Sequence, residues 1–308
     1  MAGASMAPPP ASPGAVPAAG RAWLLHAALT TILWGVWGAL IELPEKAGFP
    51  ATLGYVAWGV TMIPVAAIAL WTIGWRLDFN RRSILLGMSA GLMGCGGQLI
   101  LFQCLRLGPA YIVFPLISLY PVVTVALSVA FLGEKASRRA WTGIMLALIA
   151  IGLLSYQPPG NSAVTGYIWL LLAVVVFLLW GVQAYIMKFA SDPRRPESMK
   201  AESVTFYLMA SALVLTPIAL AMTDFSRAIN WGPGGMYAAL FVQLLNAVGF
   251  LFFAYAIRYG RAIIVVPLMS LAPVVTVILS LMLYAVIPHP VIIAGMVIAM
   301  VAIALLAE

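Results

Sequence analysis

Long apolar stretches separated by short polar ones run the length of this chain, and nowhere do hydrophobic positions alternate as in a strand. Ten stretches, 22–41, 52–74, 83–105, 110–132, 138–155, 164–187, 201–222, 235–257, 262–285 and 289–306, approach or exceed the length needed to cross a bilayer. A helix rises 1.5 Å per residue and the hydrocarbon layer is about 30 Å thick, so about 20 residues suffice. The pattern predicts an all-α membrane protein of ten transmembrane helices. Residues 1–21, made mainly of Ala, Pro, Gly and Ser, predict a disordered cytoplasmic tail with neither a secretory signal nor a transit peptide.

The pattern then repeats. Residues 115–128 read PLISLYPVVTVALS and residues 267–280 read PLMSLAPVVTVILS, identical at eleven of fourteen positions with an offset of 152. LWGV at 33–36 recurs at 179–182, an offset of 146, and the second span aligns with the seventh through Pro64 and Pro217. Two five-span units follow, 22–155 and 164–306. Five is odd, so the second unit must enter the membrane from the opposite face. Inverted repeats of this kind build carriers with a solute site at the repeat interface.

Composition excludes more than it identifies. At 64% hydrophobic and 8% charged residues, with a mean hydropathy of +1.06, the chain cannot cover a water-facing surface. Its net charge of +7 is scattered between apolar runs and does not form a nucleic-acid patch. With ten spans, thirteen of the sixteen Lys and Arg residues fall on one side, which predicts cytoplasmic termini. Cys95 and Cys104 support neither a disulfide framework nor a zinc site. No GxxxxGK[ST] loop, HExxH helix or pair of intramembrane aspartates is present, so ATP-driven and intramembrane-enzyme readings lack residues.

The stretch LRLGPAYIVFPLISLYPVVTVALSVAFLGEK at 105–135, with two copies of five helices, resembles the drug/metabolite transporter superfamily, EamA type. The resemblance implies that spans 1, 3, 4, 6, 8 and 9 surround a central cavity, with 2 and 7 flanking it and 5 and 10 peripheral. It implies a small-molecule substrate, no cofactor, no nucleic-acid partner, and a monomer or weak homodimer in the lipid bilayer of a bacterial inner membrane. Leu132-Gly133-Glu134 has no counterpart in Tyr284-Ala285-Val286, so Glu134 is read as a helix-end residue.

Polar side chains inside spans face a partner or a wet cavity, because lipid offers them nothing. Gln243, Asn246, Phe250 and Phe253 share one stripe of the eighth span, and Gln98, Phe102 and Arg106 one side of the third. Trp34 and Trp37 lie on the first span and Trp180 and Gln183 on the sixth, with Trp34 and Trp180 as repeat mates. Tyr111, Ser118, Tyr120, Thr124, Ser270 and Thr276 supply hydroxyls. All are candidates to line the cavity, against the alternative that they bond neighbouring helices. Pro115, Pro121, Pro267 and Pro273 should kink the fourth and ninth spans. Arg106 and Arg258, also mates, stand at opposite ends, as gate charges or as helix caps. His26 and Glu42 are the possible proton sites, Glu42 being read as solvated at the end of its span. The favoured function is a secondary carrier exporting an amino acid or similar zwitterion by alternating access. The alternatives are a lipid-linked-substrate flippase or its accessory subunit, or a carrier of sugars, nucleosides or drug-like amphiphiles.

Overall fold

A computed structural model describes residues 22–108, 110–132, 137–154, 156, 166–260, 262–284 and 289–307. The expected tail at 1–21, Glu134, and the loop cations Lys135 and Arg261 lie outside the described residues. The helices are α1 (Ala22–Leu40), α2 (Leu43–Lys46), α3 (Ala51–Thr72), α4 (Arg81–Leu105), α5 (Ala110–Ile117), α6 (Pro121–Leu132) and α7 (Arg138–Leu154). They continue with α8 (Ile168–Ser191), α9 (Ala201–Ala221), α10 (Ala238–Tyr259), α11 (Ala262–Met269), α12 (Ala272–Tyr284) and α13 (Pro290–Ala307). A π-turn, Pro233–Tyr237, leads into α10. Helix is the expected outcome, since only internally bonded backbone is stable in hydrocarbon. Among the described residues, eight helical stretches are long and apolar enough to cross a membrane, and shorter apolar helices lie at 141–150 and 290–305.

The fourth and ninth spans are broken, where the sequence predicts kinks within continuous helices. Pro121 has no N–H to give the carbonyl of Ile117, and the chain tightens there instead. Leu119 N donates to Leu116 O at 3.2 Å and Tyr120 N to Ile117 O at 3.1 Å before α6 starts. The ninth span turns the same way, with Leu271 N on Leu268 O at 3.2 Å and Val274 N on Leu271 O at 2.9 Å. Pro115 and Pro267, by contrast, sit within α5 and α11.

The two halves pack as two antiparallel pairs, α1 with α10 and α4 with α8. Thr30 Oγ1 donates to Gly249 O, Trp34 Nε1 to Asn246 O and Trp37 Nε1 to Gln243 Oε1, so α1 ascends as α10 descends. The other pair repeats the contact: Trp180 Nε1 donates to Gly94 O at 3.3 Å, the same distance as from Trp34 to Asn246 O. Trp180 is the mate of Trp34, and Gly94 that of Asn246. Thr276 Oγ1 on Gly35 O at 2.9 Å is matched by Thr124 Oγ1 on Gly181 O at 3.0 Å.

Gly35 and Gly181 permit these approaches. A Cβ on Gly35 would lie 2.5 Å from Val275 Cβ, and one on Gly181 would lie 2.4 Å from Val123 Cβ. Helices α1 and α4 end together, where Arg106 meets Glu45, while α8 and α10 end together where Arg258 meets Ser191. With α1 antiparallel to α10, these ends are opposite, and the repeats are inverted. The fifth helices of the two halves, α7 and α13, pack against each other.

Candidate functional site

Between the two antiparallel pairs lies a cavity of about 70 Å³. A single water takes about 10–15 Å³ by this measure, so there is room for several waters or a compact solute. Trp34 and Trp37 from α1 face it together with Asn246, Phe250 and Phe253 from α10. Gly94 and Gln98 of α4 and Trp180 and Gln183 of α8 form the opposite wall. The two helix breaks and their flanking helices close remaining sides, with Phe114, Ser118 and Tyr120 in or beside one and Met269, Ser270, Ala272 and Thr276 in or beside the other. Both breaks bring irregular backbone to the cavity rather than to lipid, the setting that hydrocarbon tolerates.

Symmetry relates the walls in position but not in chemistry. The mate of Trp37 is Gln183, and the mate of Phe250 is Gln98. Aromatic surface therefore concentrates on the α1/α10 wall and amides on the α4/α8 wall. The rings brace one another edge to face: Trp34 on Phe253 at 5.4 Å, Trp37 on Phe114 at 5.5 Å, Phe250 on Phe253 at 5.7 Å and Tyr120 on Trp180 at 6.3 Å. Such pairs fix ring orientation beyond what burial alone does.

Twelve of the residues proposed from the sequence line this cavity: Trp34, Trp37, Gln98, Ser118, Tyr120, Trp180, Gln183, Asn246, Phe250, Phe253, Ser270 and Thr276. Others do not. Gln243 is buried behind the wall, where its Oε1 accepts from Trp37 Nε1 at 3.2 Å. Phe102 turns instead onto Gly54 of α3. Tyr111 is the second residue of α5, but its side chain lies outside the described residues. Arg106 and Arg258 stand at the ends of the bundle. His26 is stacked between Phe252 and Tyr255, with centroids 5.7 and 5.3 Å away, and its Nδ1 is buried without a hydrogen bond. Glu42 departs from its solvated reading: its side chain is 12% exposed and pairs with Lys46 at 2.8 Å.

Sequence reasoning missed Trp58, Phe114, Leu208, Met269 and Ala272. For Trp58 a signal existed. Like Trp34 and Trp180 it lies well inside an apolar span, where a tryptophan is not an interfacial anchor. Lys188 was also missed, because α8 runs on to Ser191 and carries this lysine into the packed end of the bundle at 5% exposure. Cys95 and Cys104 are buried free thiols donating to carbonyls of Leu208 and Trp169. Among the described residues no group of three His, Cys, Asp or Glu could hold a metal ion.

Comparison with known proteins agrees with this architecture. Residues 21–156 and 167–307 each match the EamA-like transporter family. The protein RarD of Streptomyces exfoliatus is 24% identical over 248 residues, covering 78% of this chain and 71% of that protein. An uncharacterized protein of Methanocaldococcus jannaschii is 48% identical over 59 residues, 19% of this chain, so the match spans less than half, 43%, of that relative's length. A protein of known crystal structure superposes with a TM-score of 0.66 at 20% identity, over 92% of this chain and 96% of its own, a likeness of fold alone. The chain is thus an integral multi-pass membrane protein that belongs to the EamA-like transporter family, whose members move small molecules, and it carries the family's domain twice.

Proposed function

We propose that this chain is a secondary carrier that moves a small metabolite by alternating access, with an amino acid or similar zwitterion as the favoured solute and export as the favoured direction. The observation that carries the reading is the position of the cavity, held between two antiparallel helix pairs that exchange places under the pseudo-two-fold axis. Pairs built alike can rock against each other between states of similar energy. The solute class rests on a lining of amides, hydroxyls and aromatic rings that, among the described residues, includes no Asp, Glu, Lys, Arg or His. The direction rests on the family resemblance. The scatter of basic residues supports cytoplasmic termini in a bacterial plasma membrane. Among the described residues the cavity lining offers no carboxylate to carry a proton, so facilitated diffusion or exchange through shared occupancy of one site is the proposed driving mode.

Reconstitution into liposomes tests this. Neutral amino acids loaded inside should drive saturable counterflow of a labelled one, and a proton uncoupler should leave equilibration intact. Transport that stops when the pH gradient collapses would transfer the proton role to His26 or Glu42. A second reading has its own observation. An apolar pocket of about 130 Å³ bounded by α5, α12 and α13 adjoins the cavity at Ser270, giving the tail of a drug-like amphiphile or lipid-linked substrate a place to lie. Counterflow competed more strongly by alkylated analogues than by free amino acids would favour that reading.

A further inference from the structure

Three residues that line the central cavity each carry a buried donor with no acceptor: Trp58 Nε1, Gln98 Nε2 and Asn246 Nδ2. They come from α3, α4 and α10, and are only 3%, 3% and 5% exposed. A buried N–H left unpaired is costly, and native interiors seldom keep one without a partner for it. Other unpaired polar atoms exist in the chain, among them Ser83 Oγ and Trp169 Nε1, but they lie away from the cavity. The sign of the site is fixed by Trp58. Either amide could be turned to present its oxygen, whereas an indole N–H only donates. What belongs here is an acceptor.

Charge narrows the class further. Among the described residues, no Asp, Glu, Lys, Arg or His lines the cavity. A bare anion would enter with nothing to offset its charge, and a bare ammonium would meet donors. A solute carrying both charges satisfies the donors with its carboxylate and balances itself with its ammonium. The rings of Trp34, Trp37 and Phe250, on the α1/α10 wall that also carries Asn246, offer aromatic surface to that cation.

Resting on the carrier reading above, we infer that Trp58, Gln98 and Asn246 form an acceptor clamp. It grips the carboxylate of a zwitterionic solute and sets its orientation, with the ammonium turned toward the rings of Trp34, Trp37 and Phe250. The specificity-determining group is the carboxylate, and the rings tolerate variation in the rest of the solute.

Three probes that share one branched chain test the clamp on the full-length protein in detergent: L-leucine, 4-methylpentanoate, which lacks the amine, and isopentylamine, which lacks the carboxylate. Leucine should raise the melting temperature most, 4-methylpentanoate less, and isopentylamine not at all. Trp58→Phe keeps an aromatic ring but removes the donor, and Gln98→Leu removes another; each should weaken leucine binding by about tenfold or more. Gln98→Glu replaces a donor with a carboxylate and should reverse the preference, rejecting leucine and accepting isopentylamine, an outcome that misfolding cannot imitate. The clamp is overturned if isopentylamine protects the unaltered chain as well as leucine does, or if none of the three protects it at saturating concentration. Leucine counterflow in liposomes separates the two ideas. Binding without counterflow would overturn the carrier and keep the clamp, whereas counterflow indifferent to Trp58→Phe and Gln98→Leu would overturn the clamp and keep the carrier.

Discussion

The two ends of the bundle carry equivalent positions and opposite arrangements. Where α8 and α10 terminate, each helix supplies the cation that caps the other. Lys188 Nζ donates to Ile257 O at 3.4 Å and Gly260 O at 3.1 Å, while Arg258 donates to Ser191 O at 3.4 Å, to Ser198 Oγ at 3.3 Å and to Met199 O. Where α1 and α4 terminate, the mate of Arg258 is Arg106 and the mate of Lys188 is Glu42. Arg106 donates to Gln103 at 3.2 Å within its own helix and reaches Glu45 only at 3.7 Å, with half its side chain in solvent. A cation suits the negative end of a helix dipole and a carboxylate does not, which accounts for Glu42 turning to Lys46. The α8/α10 end is therefore fastened across the interface between the helix pairs. At the α1/α4 end Arg106 and Glu45 form a long ion pair, at 3.7 Å.

The largest effects should come from the fastened end. Lys188→Met and Arg258→Ala each remove charge-assisted bonds to buried carbonyls, so each should cost about 2–3 kcal/mol, read as a fall in detergent melting temperature. An unchanged melting temperature in both would erase the contrast between the ends. At the looser end, Arg106→Ala should abolish exchange in liposomes while leaving membrane abundance normal and stability within about 1 kcal/mol. Normal transport would reduce Arg106 to a helix-end residue.

The smallest effect concerns Asp192, just beyond α8. Burial would raise its carboxyl, but hydrogen bonds from Arg194 outweigh this and hold it at about 2, below the ordinary 3.8. A lowered value stabilises the fold above the ordinary one, and that contribution is lost as pH falls from about 4 toward 2. Arg194 is mostly exposed, so Asp192→Asn should cost less than about 1 kcal/mol at neutral pH. The difference from the unaltered chain should vanish in acid, as melting curves across that range would reveal.

How far these features were legible in the sequence depended on the physics behind each. Apolar runs and the offset of 152 between the Pro-Leu-x-Ser-Leu segments suffice for the helices and for their inversion, since lipid leaves the backbone no other option. The breaks at 118–120 and 270–271 were harder. A proline removes one donor, and whether the helix bends or stops depends on where the carbonyls it frees can turn, a matter of neighbours. Lining was harder still. Gln243 and Asn246 share a stripe one turn apart, yet Trp37 covers the first and leaves the second facing the cavity. Lys188 was obscured because a helix end in sequence is ambiguous by about a turn, and that turn decides between loop and packed interior.

The straps from Trp34 and Trp180 end on main-chain oxygens, those of residues 246 and 94. A main-chain oxygen is present whatever amino acid occupies the site, so the strap that holds each helix pair does not draw on the side chain there. One copy bears Asn and the other Gly at that place with no loss of the strap. A duplicated gene built this way can grow lopsided inside while its skeleton stays even, and new cargo can be selected by editing one face at a time.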